Sequence, residues 1–192
     1  SNLSLWLKAD HATDTIVDGN VISSWDDRST AWNNTLANGT PVYDENSFNF
    51  NPSVEFVWSD NDWFDTTGTW ILGGDNPYTK IVVGSRSDGS LNAFQWTDMG
   101  GHTLVSLDHT QLMTLRHRYS SGSSPSAANW STLTLDEPAV TWGIFRVYND
   151  SDLLTNGELI SWVWLWPRFY SDDWVLRIGS HYDAGSPSLD FG

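Results

Sequence analysis

Cysteine is absent from the 192 residues, so there is no disulfide framework and no thiol chemistry. Lysine is nearly absent too, with only Lys8 and Lys80. The formal net charge is -15, which repels nucleic acid and anionic membranes and suits cations, high salt or a neutral ligand. Glutamate is limited to Glu45, Glu55, Glu137 and Glu158, and the remaining acids are all aspartate. Aspartate is a turn residue and glutamate a helix residue, so the choice of acid argues for β-structure with acidic loops. No apolar run approaches the ~20 residues that span a bilayer, and the N-terminus lacks the charged-then-apolar pattern of a signal peptide. The chain reads as a soluble domain whose export signal, for an exported protein, was removed or lies elsewhere in a longer sequence.

Aromatic mass is plentiful: 13 Trp, 8 Phe and 6 Tyr against 2 Met. That composition favours sheet over helix, and the length suits one domain, residues 1–192, with a sizeable core. The densest stretch is Ile160–Phe169, where Trp162, Trp164 and Trp166 recur every second residue and share one strand face, with Val163 and Leu165 on the other. Core packing is the better explanation of such a strand, with a platform for a flat ligand as the competitor. It follows the turn Asn156-Gly157 and is expected to pair with Phe145–Tyr148, with Pro167 ending the ladder.

Strands are also expected at Leu3–Leu7, Tyr78–Val83, Leu91–Trp96, Thr103–Leu107, Gln111–Tyr119, Trp130–Leu135, Val140–Tyr148 and Trp174–Ile178. Asp18-Gly19 reads as a hairpin turn, Asn38-Gly39 as a turn before Pro41, and Ser120–Ala128 as a Ser-rich loop. Phe48–Phe50 and Ser53–Val57 read as short extended pieces, and Pro52 either separates them or sits on an edge. No helix beyond a turn or two has capping signals and 3.6 periodicity. Many short strands with frequent turn signals point to an all-β chain, a two-sheet antiparallel β-sandwich or jelly roll.

Catalytic signatures are missing. No E-x-D-x-x-E strand of the jelly-roll glucanases occurs, and the Asp60/Asp62 and Asp150/Asp152 pairs fall in turn-like sequence. Gln111, Arg116, His117, Arg118 and Tyr119 only faintly resemble a lyase strand, G-x-S-x-G is absent, and His109 and His117 have nothing to complete a zinc site. What remains is oxygen-rich. Asp26-Asp27, Asp60-Asn61-Asp62, Asp150-Ser151-Asp152 and Asp172-Asp173 offer the hard ligands that Ca²⁺ takes, though no D-x-D-x-D-G loop occurs. Metal ligands are accordingly expected among Asp26, Asp27, Asp60, Asn61, Asp62, Asp172 and Asp173, set against the alternative of solvated turns. Trp32, Trp58, Trp63, Trp70 and Trp130 lie in or beside loops, where binding residues gather, although several would simply cap the core. The candidate ligand contacts are Trp58, Trp63, Trp96, Trp130, Trp166 and Arg168.

The segments Leu5–Asp10, Val21–Ser29 and Phe48–Phe56, followed by Tyr78–Val83, Trp142–Tyr148, Thr155–Glu158 and Leu176–Ser180, resemble in order the concanavalin A-like (laminin G-like) jelly-roll domains of large secreted bacterial surface proteins. The resemblance covers nearly the whole chain. It implies a non-catalytic domain of a secreted adhesin on the bacterial cell surface that binds carbohydrate or peptide, often with Ca²⁺ as cofactor. The partner would be a glycan or protein on another cell or surface, with no nucleic acid and no membrane insertion. Family members typically continue past the Phe-x-Gly that is here Phe191-Gly192 into one more strand. That departure implies either a missing final strand, the preferred reading, or an edge beside Leu3–Leu7 that another segment or chain completes. The alternatives are a polysaccharide lyase or glycoside hydrolase on the same fold, or a structural spacer.

Overall fold

The structure, a computed structural model, describes residues 3–57, 60–67, 78–85, 95–98, 103–107, 112–117, 126–132, 139–146, 150–164 and 176–179. Within these residues the regular structure is almost wholly β. After one helical turn, α1 (Ala9–Ala12), come β1 (Ser24–Trp25), β2 (Thr35–Asn38), β3 (Val42–Phe48), β4 (Asn51–Glu55), β5 (Trp63–Thr66), β6 (Tyr78–Gly84) and β7 (Gln95–Asp98). They are followed by β8 (Thr103–Leu107), β9 (Leu112–His117), β10 (Ser126–Thr132), β11 (Ala139–Phe145), β12 (Asp150–Thr155), β13 (Glu158–Trp164) and β14 (Leu176–Gly179). All the pairings between these strands described below are antiparallel. The chain forms two compact units, Ser1–Trp70 with Val175–Tyr182, and Ile71–Trp174 with Asp183–Gly192.

In the first unit β1, β2, β5 and β14 lie side by side in that order. Ala37 faces Phe64, and Phe64 faces Ile178, so strand alternation gathers these three on one face. Phe64 is fully buried there, edge-on to Trp25 at 5.7 Å and to Phe56 at 5.9 Å between ring centroids. Burying such a ring stabilises by about 1.5–3 kcal/mol, and each edge-to-face partner adds ~0.5–1.5 kcal/mol. Ile22 and Tyr43 join the buried set. The other face of the same strands carries Leu36, Asn38, Trp63 and Asp65, where Asp65 Oδ2 accepts from Trp63 Nε1 at 3.1 Å and Asn38 Nδ2 at 3.3 Å.

β3 and β4 form a separate ribbon whose turn is Asn49-Phe50, both in left-handed backbone at φ 48° and 64°. This is the two-residue hairpin geometry that usually takes Asn-Gly. The expected extended piece Phe48–Phe50 is therefore a strand end and a turn. Pro52 is tolerated inside β4 because a two-stranded ribbon has only edges. Leu3–Leu7 is not a strand. Leu5 and Leu7 are half-buried and Trp6 exposed, as alternation requires, but the Trp6 N–H donates to the Asp27 carboxylate and the Trp6 carbonyl accepts from Arg28 N. Those bonds dock the segment without a ladder, so the open strand edge expected beside it has no basis there. The Asp18-Gly19 turn forms, with Gly19 at φ 75°, but only single bridges flank it.

In the second unit β6, β11, β12 and β13 form one sheet, with β11 between β6 and β12. β7, β8, β9 and β10 form a meander, and β10 approaches β12 and β13. Ser126–Ala128, expected in a loop, begins β10. Asp150-Ser151-Asp152, expected as an acidic turn, opens β12, and Asp152 pairs with Arg146 at 2.6 Å. The neighbour of the Trp-rich strand β13 is thus β12, not Phe145–Tyr148. The hairpin turn between them is Asn156-Gly157 as expected, at φ 50° and 86°, and Asn156 also clasps Val140 of β11 through both its backbone N–H and its side-chain oxygen. Val82, Ala139, Gly143 and Thr155 are buried on one face of this sheet. The register places positions 162 and 164 on the other face, with Ile81 and Trp142. Residues 165–175, with Trp166, Pro167 and Arg168, lie outside the described residues.

Gly39 follows β2 at φ 73°, and an added Cβ would collide with the Asp62 carboxylate and the carbonyl oxygens of Asn61 and Asp60. Both the backbone angle and the space demand glycine. Gly39→Ala is expected to cost more than the ~1 kcal/mol of a left-handed alanine alone, lowering the melting temperature by several degrees in a calorimetric scan.

Candidate functional site

The loop between β1 and β2 carries a dense hydrogen-bond constellation, and it is organised by one carboxylate. Asp27 is only 4% exposed. Its Oδ1 accepts from Trp6 N and Ser29 N, both at 2.8 Å, and its Oδ2 from Ser29 Oγ at 2.6 Å and Asn33 N at 2.9 Å. An ionised carboxylate has about four acceptor positions, and these donors fill them. Asp27 N donates to Asn34 Oδ1 at 3.0 Å, Ala31 N to Ser29 Oγ at 3.1 Å, and Asn33 Nδ2 to Ser4 O at 2.8 Å. The loop is also fastened to the sheet, because Thr67 N donates to Asn34 O at 2.7 Å. Local sequence explains this: Asp-x-Ser lets the aspartate cap its own following turn, a local bond that competes with strand pairing.

Between the two anchored backbone positions, Ser29 and Asn33, stands Trp32. It is 75% exposed and holds a left-handed backbone at φ 57°. The non-glycine residues with positive φ among those described are Trp32, Asn49, Phe50, Asn61 and Asn156. Asparagine is at home in that region, whereas an aromatic side chain there is an outlier. Phe50, at 90% exposure, and Trp32 are the most exposed large apolar side chains described, and both sit in this unfavourable backbone. Strain kept at an exposed aromatic is not offset by burial of its side chain.

The described sequence-derived candidates fall on several different elements. Trp63 is the first residue of β5, directly beside the Asp60–Asp62 turn, half-buried and bonded to Asp65. Trp96 and Trp130 lie within β7 and β10, the latter at a register irregularity. Trp58, Trp166, Arg168, Asp172 and Asp173 lie outside the described residues. Asp26 is exposed, beside the buried Asp27. Asp62 is fully buried, with Thr40 N on Oδ1 at 2.5 Å and Val57 N on Oδ2 at 2.9 Å, while Asp60 and Asn61 are exposed. Because β2 and β5 are antiparallel, the Asp26-Asp27 loop and the Asp60–Asp62 turn fall at opposite ends of β2, on the order of 10 Å apart. Among the described residues no three His, Asp or Glu side chains gather closely enough to hold a metal ion. Trp32 was visible in the sequence as a loop tryptophan, and the signal that singles it out is the Asp27-x-Ser29 turn just before it.

The chain matches no family model, no curated protein and no solved structure.

Burial pushes the Asp27 carboxyl up, but the Ser29 hydroxyl and the N–H groups of Ser29, Trp6 and Asn33 outweigh it and hold it below the ordinary range. At Asp14 too burial pushes the carboxyl up, and the Ser23 hydroxyl with the Ser23 and Ser24 backbone donors outweighs it and holds it below the ordinary range. A depressed carboxyl stabilises the fold fully above the unfolded value of about 3.9 and loses that contribution as pH falls through the folded value. Melting temperature is therefore expected to stay level from neutrality to about pH 5 and to fall below about pH 4. Asp27→Asn should flatten that fall, measured as melting temperature against pH.

Proposed function

We propose that the chain is a non-catalytic ligand-binding domain, a single concanavalin A-like jelly-roll sandwich from a secreted bacterial surface adhesin, and that it recognises a glycan or peptide on another surface. The observation that carries this reading is Trp32, an exposed indole held in strained backbone by a loop that Asp27 fixes. A rigid, displayed indole gives a flat apolar face to a sugar ring or to an aliphatic or aromatic peptide side chain, at little ordering cost on binding. The charge of -15 selects among ligands, favouring neutral or cationic ones over acidic polysaccharides. The antiparallel strands of both units support the sandwich part of the reading. Ca²⁺, which the resemblance implies, would draw on Asp172-Asp173 or on the exposed Asp26 and Asp60, because the donor sets of Asp27 and Asp62 do not suit a cation.

Trp32→Asn separates binding from stability. Asparagine tolerates the left-handed region, so this variant is expected to melt at or above the wild-type temperature. Its binding on a glycan and peptide array should fall at least tenfold, the loss of one aromatic hot spot worth about 1.5–2 kcal/mol. Retained binding would remove Trp32 from the site. Turnover of an arrayed polysaccharide would replace the reading with an enzyme, and silence across the array would favour a spacer.

A further inference from the structure

We infer that Asp27 and Asp62 are the staples of the first unit, doing with hydrogen bonds what the resemblance would assign to Ca²⁺, so that the loop presenting Trp32 is set without a cation. Both carboxylates are buried, 4% and 0% exposed. Each collects donors from segments far apart in sequence. Asp27 ties Trp6, twenty-one residues upstream, to Ser29 and Asn33. Asp62 ties Thr40, twenty-two residues upstream, to Val57. The two sit at opposite ends of the β2–β5 pair, so together they close both ends of that ladder.

The chemistry of the donors decides against a metal at these positions. Ca²⁺ seeks oxygens with lone pairs directed at it, six to eight in all. At Asp27 four N–H and O–H groups point at the carboxylate instead, each carrying a partial positive charge that a cation would have to displace. At Asp62 a backbone N–H from a different loop meets each oxygen, and Gly39 packs so close to Oδ1 that an added methyl group would strike it. A chain with no cysteine thereby gains two cross-links that need neither oxidation nor metal.

Hydrogen exchange on the wild-type chain reads this directly. In excess chelator the amides of Trp6, Ser29, Asn33, Thr40 and Val57 should exchange slowly, and millimolar CaCl₂ should not slow them further. Rapid exchange in chelator that becomes slow on adding Ca²⁺ would overturn the inference. Variants give a second arm: Asp27→Asn and Asp62→Asn should each lower the melting temperature by several degrees, equally in chelator and in Ca²⁺, with the exposed Glu55→Gln unchanged in both. A loss seen only in Ca²⁺ would show that these residues act through a bound ion and would equally overturn it.

Discussion

The buried carboxylate of Asp27 is the constraint on which the first unit turns. Taking a carboxylate out of water costs several kcal/mol unless its lone pairs are filled. Here they are filled by groups from three places: the N-terminal segment, the turn immediately after the aspartate, and the approach to β2. Each hydrogen bond to a charged group contributes about 1.5–3 kcal/mol in favourable cases. The cost and the gain are inseparable, because a carboxylate left with two donors instead of four would be a liability. This makes the loop a closed arrangement whose parts hold together or fail together.

The same logic runs through Asp62 and Gly39 at the far end of β2. A side chain at position 39 and a carboxylate at position 62 compete for one space, and glycine resolves the competition. Phe64 then lies two residues past Asp62, with its ring against Trp25 and Phe56. The polar staples thus sit just off the ends of strands that carry the apolar core, Asp27 two residues after β1 and Asp62 one residue before β5.

Much of this was legible. Asp18-Gly19, Asn38-Gly39 and Asn156-Gly157 are turns with positive φ at glycine, as their chemistry requires. Strands β6, β8, β9 and β11 were readable from alternation and β-branched content. Two kinds of feature were not. Leu3–Leu7 has strand periodicity, but its backbone partners are a side chain and a loop, and periodicity reports burial without naming the hydrogen-bond partner. Asp150–Asp152 has the composition of a turn, yet becomes a strand because its neighbours β11 and β13 supply the ladder and Arg146 meets Asp152. Aspartate clusters were the least legible of all. A short run of acids looks alike in sequence whether its carboxylates await a cation or already hold backbone N–H groups, and only the donors coming from Trp6, Thr40 and Val57 distinguish the two.

The loop at 27–34 also bears on how such a domain can diversify. Its shape is written in backbone N–H groups and in Asp27 and Ser29, and none of the bonds that fix it uses a side chain at Thr30, Ala31 or Trp32. Those three positions are exposed and free of structural duty. Mutation can therefore rewrite what the loop offers to the outside while the frame that offers it stays fixed. On the proposed binding role, Asp27 would be held by selection for folding and residue 32 by selection for its ligand. Sister chains would then differ most at the very residue where this one spends its strain.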